Sequence, residues 1–192
     1  TEKTQELDKL TQNYHRSKSR LESLVNITER YDGYGNSIRK IMELKDSNSG
    51  ILGVIADIIK VEKQYETAIE TALGGTIQNI VTDKENTAKE LINYLKVNKL
   101  GRATFLPLNA IHSRNTLEND NCINENGVVG VASNLVRVSF EYEGLAKYLL
   151  GRILVVDNIE NALVIARKYK YSLRIVTLEG EQLNPGGSMT GG

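Results

Sequence analysis

YETAIETALGGTIQNIVTDKENTA (65–88) and YEGLAKYLLGRILVVDNIENA (142–162) are the two stretches that decide the fold. Tyr65, Ala72, Leu73 and Gly74 of the first correspond to Tyr142, Leu149, Leu150 and Gly151 of the second at a constant separation of 77 residues. After one short gap, Asp83 and Ala88 correspond to Asp157 and Ala162 at a separation of 74. Each stretch reads as helix, Leu-Gly, strand, Asp, helix, and each is followed by a further strand pattern. Two such units arise by internal duplication or by sharing one local plan, and the aligned residues favour duplication. A strand–helix–strand unit predicts a right-handed crossover between parallel strands, so the fold class is mixed α/β.

Working outward, the apolar runs predict strands over 52–56, 77–81, 103–106, 128–138, 153–156 and 173–178. Helices are expected over 36–44, 62–73, 87–98, 142–150 and 159–169, the third stopped near Gly101 and the strand after it closed by Pro107. A polar stretch, 109–127, rich in Asn, Asp, Glu and Ser, separates the two halves as a linker. The expected organisation is thus an arm over 1–32 and a domain over 33–192, its subdomains covering about 33–108 and 128–192. In the arm, Leu7, Leu10, Tyr14, Ser17, Leu21, Leu24, Thr28 and Tyr31 recur at alternating spacings of three and four, a heptad seam that calls for a partner helix or for packing on its own globule. Gly33 and Gly35 break it.

Charge removes some functions. Lys plus Arg equals Asp plus Glu, 24 against 24, so any contact with a polyanion must be local. No apolar run approaches the roughly 20 residues that span a bilayer, and the first residues are polar, so neither a membrane nor a signal peptide is expected and a cytoplasmic setting follows. The chain starts without Met and stops at Gly192, which reads as a piece of a longer protein. Cys122, the single cysteine, sits in NDNCINENG (119–127) and reads as a surface thiol in a loop.

Catalytic constellations are poorly supported. A phosphate loop needs G-x-x-x-x-G-K, and the glycine-rich end PGGSMTGG (185–192) carries no Lys. Gly33-x-Gly35 follows a helix and continues to Ile38, unlike a dinucleotide fingerprint. His15 lies on the polar arm and reads as solvated, and a His112–Cys122 pair would have to form within a loop. Asp83 and Asp157, at strand ends ahead of helices, have the position of substrate carboxylates in a small α/β enzyme or ligand-binding domain, the second hypothesis here. They also have the position of N-terminal capping residues, which is preferred. No cofactor and no metal is expected.

What remains is glycine pairs and local positive charge. Gly74-Gly75, Gly186-Gly187 and Gly191-Gly192 permit close approach of another backbone. The motifs AIETALGGTIQNIVTD (68–83), GRATFLPLNAI (101–111) and LNPGGSMTGG (183–192), in this order, resemble the hinge of SMC (structural maintenance of chromosomes) proteins in its bacterial or archaeal form, over about residues 33–192. The resemblance implies a non-catalytic homodimerisation domain whose two copies meet through edge strands and glycines in a ring with two contacts. Gly186, Gly187, Gly191 and Gly192 would let strands approach, and Gly74 and Gly75 would lie near the facing surface. It also implies that residues 1–31 end an incoming coiled coil whose antiparallel partner follows Gly192. The parent protein would be an ATPase through its heads, acting in chromosome condensation and segregation with kleisin and accessory subunits, associated with the nucleoid. Weak DNA contact is implied near Lys96, Lys99 and Arg102, and near Arg167, Lys168 and Lys170 with Tyr169 and Tyr171 interleaved. Basic residues at helix C-termini also serve the helix dipole, so that reading stands beside it.

Overall fold

The computed structural model describes residues 1–30, 35–113 and 115–192, and within its first helix the side chains of residues 1–16. Helix α1 (Glu2–Arg30) leads into α2 (Asn36–Glu43) and then into two units of the same plan. Leu7, Leu10 and Tyr14 of the heptad seam are exposed, while the seam from Ser17 to Tyr31 and the expected break at 32–34 lie outside the described side chains and residues.

The first unit runs β1 (Ile51–Val54), α3 (Ile55–Ile58), β2 (Lys60–Val61), α4 (Glu66–Leu73), β3 (Ile80–Thr82), α5 (Glu85–Val97) and β4 (Phe105–Pro107). The second runs β5 (Val128–Val131), a 3-10 turn (Ala132–Leu135), β6 (Val136–Arg137), α6 (Glu143–Leu150), β7 (Ile153–Val156), α7 (Ile159–Lys168) and β8 (Arg174–Thr177), then adds β9 (Gln182–Leu183) and β10 (Met189–Thr190). The correspondence seen in the sequence extends upstream of it: β1 and β5, and α4 and α6, each begin and end 77 residues apart. Both β1 and β5 shift register beside a glycine, Gly53 and Gly130.

Both predicted parallel crossovers are present, β3 to β4 through α5 and β7 to β8 through α7. To each parallel pair an antiparallel neighbour is added, β1 on β3 and β5 on β7, giving sheets ordered β1-β3-β4 and β10-β9-β8-β7-β5. The units are joined by β2 and β6, which pair antiparallel with Lys60 opposite Arg137. Those two residues are themselves 77 apart, so a local twofold relation passes through their pairing. Arg137 also forms an ion pair with Glu62 at 3.0 Å across the joint.

Burial explains the all-apolar β7. Its Ile153 and Val155 enter a core shared with the first unit, among Ile69, Ile77, Ile80 and Leu150. Leu154 and Val156 face the other way, into a second core with Ala162, Ile165 and Ile175 beneath α7. A strand covered on both faces must be apolar at every position, which is why it reads as a continuous run and not as an alternation.

Several expectations are corrected. The strand expected over 52–56 ends at Val54, because Ile55 and Ala56 turn into α3. The one expected over 77–81 starts only at Ile80, since 74–78 forms a 3-10 turn, and 128–138 is broken in two by the turn Ala132–Leu135. Short apolar helices and strands have the same composition, and neighbouring chain decides between them. Cys122 is buried, not a surface thiol: a short 3-10 turn (Asn121–Asn124) leaves its polar neighbours outside and turns the sulfur toward Leu117 and the second core. The stretch 109–127 is therefore pinned to the protein at Leu117 and Cys122.

Candidate functional site

The end of the five-stranded sheet is built from the last nine residues. After β9, the chain turns through Pro185, Gly186 and Gly187, with Gly187 N–H donating to Asn184 O at 3.0 Å and Asn184 N–H donating to Ser188 O at 2.8 Å. It then returns as β10, paired with β9 through Met189 opposite Leu183 and Thr190 opposite Gln182. The turn requires glycine twice, since Gly186 and Gly187 have φ of +92° and +108°. Among the described residues β10 has a neighbour on one side only, and Met189 on it is 49% exposed. A methyl group at Gly186 or Gly192 would meet nothing within 4 Å, and one at Gly187 only Tyr171 at 3.9 Å. Gly74 and Gly75, at the end of α4, are equally open. All six glycines singled out in the sequence are exposed.

Among the described residues the first sheet also has an unpaired edge, the outer side of β4. Beside it lies a cleft of about 500 Å³ lined by Ile92, Leu95, Lys96, Gly101, Arg102 and Ala103. Ile92 is half exposed there, on the outer face of α5. Lys96 and Arg102, expected as nucleic-acid contacts, thus come together on the rim of an apolar cleft. Lys99 stands apart at the helix end with φ +52°. In the other basic group, Lys168 is committed, its ammonium 2.6 Å from Glu125, and Tyr169 donates to the same carboxylate at 3.0 Å. Those two bonds, the lysine's first, hold the Glu125 carboxyl below its ordinary range. Arg167, Lys170 and Tyr171 remain exposed.

The two strand-end aspartates, both exposed, hold the chain where it enters α5 and α7, and the capping position expected for them falls one residue later. Asp83 accepts from Thr87 Oγ1 at 2.5 Å and from Lys84 N–H at 2.8 Å, and the hydroxyl contact is the main cause of its lowered pKa. Asp157 accepts from Asn158 N–H and Asn161 Nδ2, both at 2.8 Å. Each aspartate's own N–H donates to the carbonyl of the glycine immediately before the facing strand, Asp83 to Gly50 ahead of β1 and Asp157 to Gly127 ahead of β5. A methyl group on either glycine would sit within 2.9 Å of the carboxylate, so each glycine's backbone lies close against one side of it. The capping residues are Lys84 and Asn158, one position later; Asn158 accepts from Asn161 N–H at 2.9 Å. Of the sequence's other pairing, His112 is exposed while Cys122 is buried, and burial raises its thiol pKa.

One group escaped the sequence reading. Arg152 and Arg174, immediately before and at the start of the parallel strands β7 and β8, line a second cleft of about 320 Å³. They are far apart in the chain, and only strand pairing makes them neighbours.

Comparison with known proteins agrees with this geometry. Residues 48–166 match the family described as the SMC proteins flexible hinge domain. The chromosome partition protein Smc of Desulfitobacterium hafniense is 41% identical over 97% of this chain, and that of Bacillus subtilis 39% identical over 92%. This chain spans 16% and 15% of those two proteins, about a sixth of their length. Among solved structures, an asymmetric dimer of the Geobacillus stearothermophilus SMC hinge domain superposes with a TM-score of 0.80 at 39% identity, covering 97% of this chain and 77% of that one. The Pyrococcus furiosus SMC hinge domain gives 0.69 at 34% identity, covering 89% and 87%. With the glycine-rich edge, the paired strand–helix–strand units and these matches in agreement, the chain belongs to the SMC hinge domain family.

Proposed function

We propose that this chain is a homodimerisation hinge joining two coiled-coil arms of a chromosome-organising SMC protein. The observation that carries the reading is β10, a free, glycine-flanked strand edge bearing the exposed Met189, in the same molecule as a second free edge, β4, beside an apolar cleft. Two copies related by a twofold axis would place β10 of each against β4 of the other, with Met189 in the cleft by Ile92 and Leu95. The two contacts would close a ring. Edge pairing supplies backbone hydrogen bonds and the cleft supplies apolar burial. The existence of the Geobacillus hinge as an asymmetric dimer supports self-association here.

In this reading the whole protein is an ATPase through parts outside this chain. It acts with kleisin and accessory subunits and condenses and segregates nucleoid DNA. Within the chain, weak DNA contact falls to Lys96, Lys99 and Arg102, and to Arg167 and Lys170, with Lys168 contributing less because Glu125 already neutralises it. The test is the mass of the chain in solution. Sedimentation equilibrium is expected to give twice the 21.4 kDa chain mass, and Gly186→Ala with Gly187→Ala is expected to give the monomer. An unchanged dimer from that variant would remove the glycine edge from the interface.

A further inference from the structure

We infer that Tyr171 is a positioning residue for the subunit contact: its left-handed backbone ties the turn at Gly186 and Gly187 to the end of α7, and so fixes the direction in which β10 presents its free edge. The inference rests on the homodimer reading above and adds to it a residue outside the strand and outside the glycines.

Strand pairing alone holds β10 weakly. It meets β9 over two residues only, Met189 opposite Leu183 and Thr190 opposite Gln182, shorter than most strands and with little ladder to fix it. In the turn, Asn184 N–H donates to Ser188 O and Gly187 N–H donates to Asn184 O, bonds that close the hairpin without attaching its tip to anything else. Among the described residues, one hydrogen bond of the turn 184–188 leaves the hairpin, from Gly186 N–H to Tyr171 O at 2.8 Å. The tip of the hairpin therefore lies where the Tyr171 carbonyl points.

That direction is set by a φ of +57° at Tyr171, directly after +55° at Lys170. The left-handed Lys170 belongs to the way α7 ends, with Lys170 N–H on Arg167 O and Tyr171 N–H on Ala166 O. Nothing in that ending requires a second such residue, and the duplicated fold supplies the control. Helix α5 ends in the same way, Lys99 N–H on Lys96 O and Leu100 N–H on Leu95 O, with Lys99 at a φ of +52°. Leu100, the counterpart of Tyr171, is not left-handed, and the next positive φ falls on Gly101, where no side chain is strained. The first unit closes at β4 and has no hairpin corresponding to β9 and β10. The strained second residue thus occurs only in the unit that has a turn to hold.

A bulky residue in the left-handed region is an outlier, and such strain persists only where the surroundings over-determine it. At Tyr171 they do so from both sides, its N–H bound to the end of α7 and its carbonyl to Gly186. The ring lies beside Gly187, where an added methyl would meet its Cδ1 at 3.9 Å, yet it is 42% exposed, so the backbone and not burial of the ring does the holding. A residue that relaxed to negative φ would turn its carbonyl away and release the tip. A hairpin free at its tip presents β10 in the pairing direction only part of the time, and the apparent affinity of one copy for another falls by that fraction.

The experiment is sedimentation equilibrium across a dilution series, with hydrogen exchange of the Gly186 amide followed by NMR on the same proteins. Tyr171→Val introduces a branched side chain that disfavours the left-handed region. It is expected to expose the Gly186 amide and to raise the dimer dissociation constant about fivefold for one contact, or about 30-fold for a ring of two, the worth of one hydrogen bond at each. Tyr171→Gly takes the same φ without strain and is expected to keep the amide protected and the dissociation constant within about twofold. Lys170→Gly relieves the helix-ending residue alone and is expected to keep pairing as well. Exchange of the β7 and β8 amides reports on the fold in every sample. The inference is overturned if Tyr171→Val leaves the dissociation constant within about twofold, or weakens pairing while the Gly186 amide stays protected or the β7 and β8 amides lose protection. It is equally overturned if Tyr171→Gly weakens pairing as much as Tyr171→Val, which would assign the effect to the ring. An unmodified chain that stays monomeric at every concentration removes the homodimer reading and this inference with it, whereas a dimer unmoved by Tyr171→Val removes this inference alone.

Discussion

Gly191→Ala separates a subunit contact from backbone strain, which the paired substitution at Gly186 and Gly187 does not. At those two positions φ is +92° and +108°, and an alanine there costs the isolated fold roughly 1–2 kcal/mol each, whatever happens between subunits. Gly191 is not in that backbone region, and the nearest group to an added methyl is Glu181 Cγ at 3.2 Å, which must give by a few tenths of an ångström while its carboxylate stays on Thr177 Oγ1. The single chain should therefore lose less than about 0.5 kcal/mol, the usual range for a surface change. If the strand edge at β10 meets another backbone, the methyl enters a packed contact, where an added carbon typically costs about 1–3 kcal/mol. That corresponds to a dimer dissociation constant raised roughly 5- to 150-fold, and by more when both contacts of a ring carry the change. The assay is sedimentation equilibrium across a dilution series, with urea unfolding of the same protein as the control for the fold. A dissociation constant within twofold of the unmodified chain, with unfolding unchanged, would refute the placement of Gly191 at the contact.

Three further outcomes follow from the interior. Gly50→Ala and Gly127→Ala both push a methyl against the aspartate clasp at the start of α5 or α7, but only Gly127 has a positive φ, +91°, so it should lose about 1–2 kcal/mol more in urea unfolding. Equal losses would show that strain is not the difference. Cys122 is expected to resist a thiol reagent in the native protein and react at once in urea, and because burial raises its pKa above 9.0, the unfolded thiol ionises first and stability declines as pH rises past that value. Rapid native labelling would contradict its burial. The Glu125 clasp works with the opposite sign: its carboxyl is held below 4.5 by Lys168 first and Tyr169 second, so its contribution is complete above pH 4.5 and is lost as pH falls through the lower folded value. Lys168→Gln should reduce that acid dependence in thermal unfolding scans, and an unchanged profile would remove the clasp as its source.

The kind and order of the main elements, the repeat at a separation of 77 and the glycine-rich edge are local in origin. Periodicity, helix-ending Leu-Gly steps and glycine pairs act within a few residues, so they are legible along the chain. The six glycines could be named without coordinates because an open turn leaves a mark in the sequence itself. Tertiary structure decided what depends on distant partners. Whether Ile55 and Ile77 lie in strand or helix depended on which neighbour reached them, and β7 is buried on both faces only because both units close on it. The aspartates became clasps, not caps, because their N–H groups pair with Gly50 and Gly127 ahead of the facing strands and the helices start one residue later. Cys122 went inside because Leu117 and the second core lay beneath its loop. Arg152 and Arg174 became one cleft only when β7 and β8 paired, since residues far apart in the chain become neighbours through the pairing that tertiary structure alone supplies.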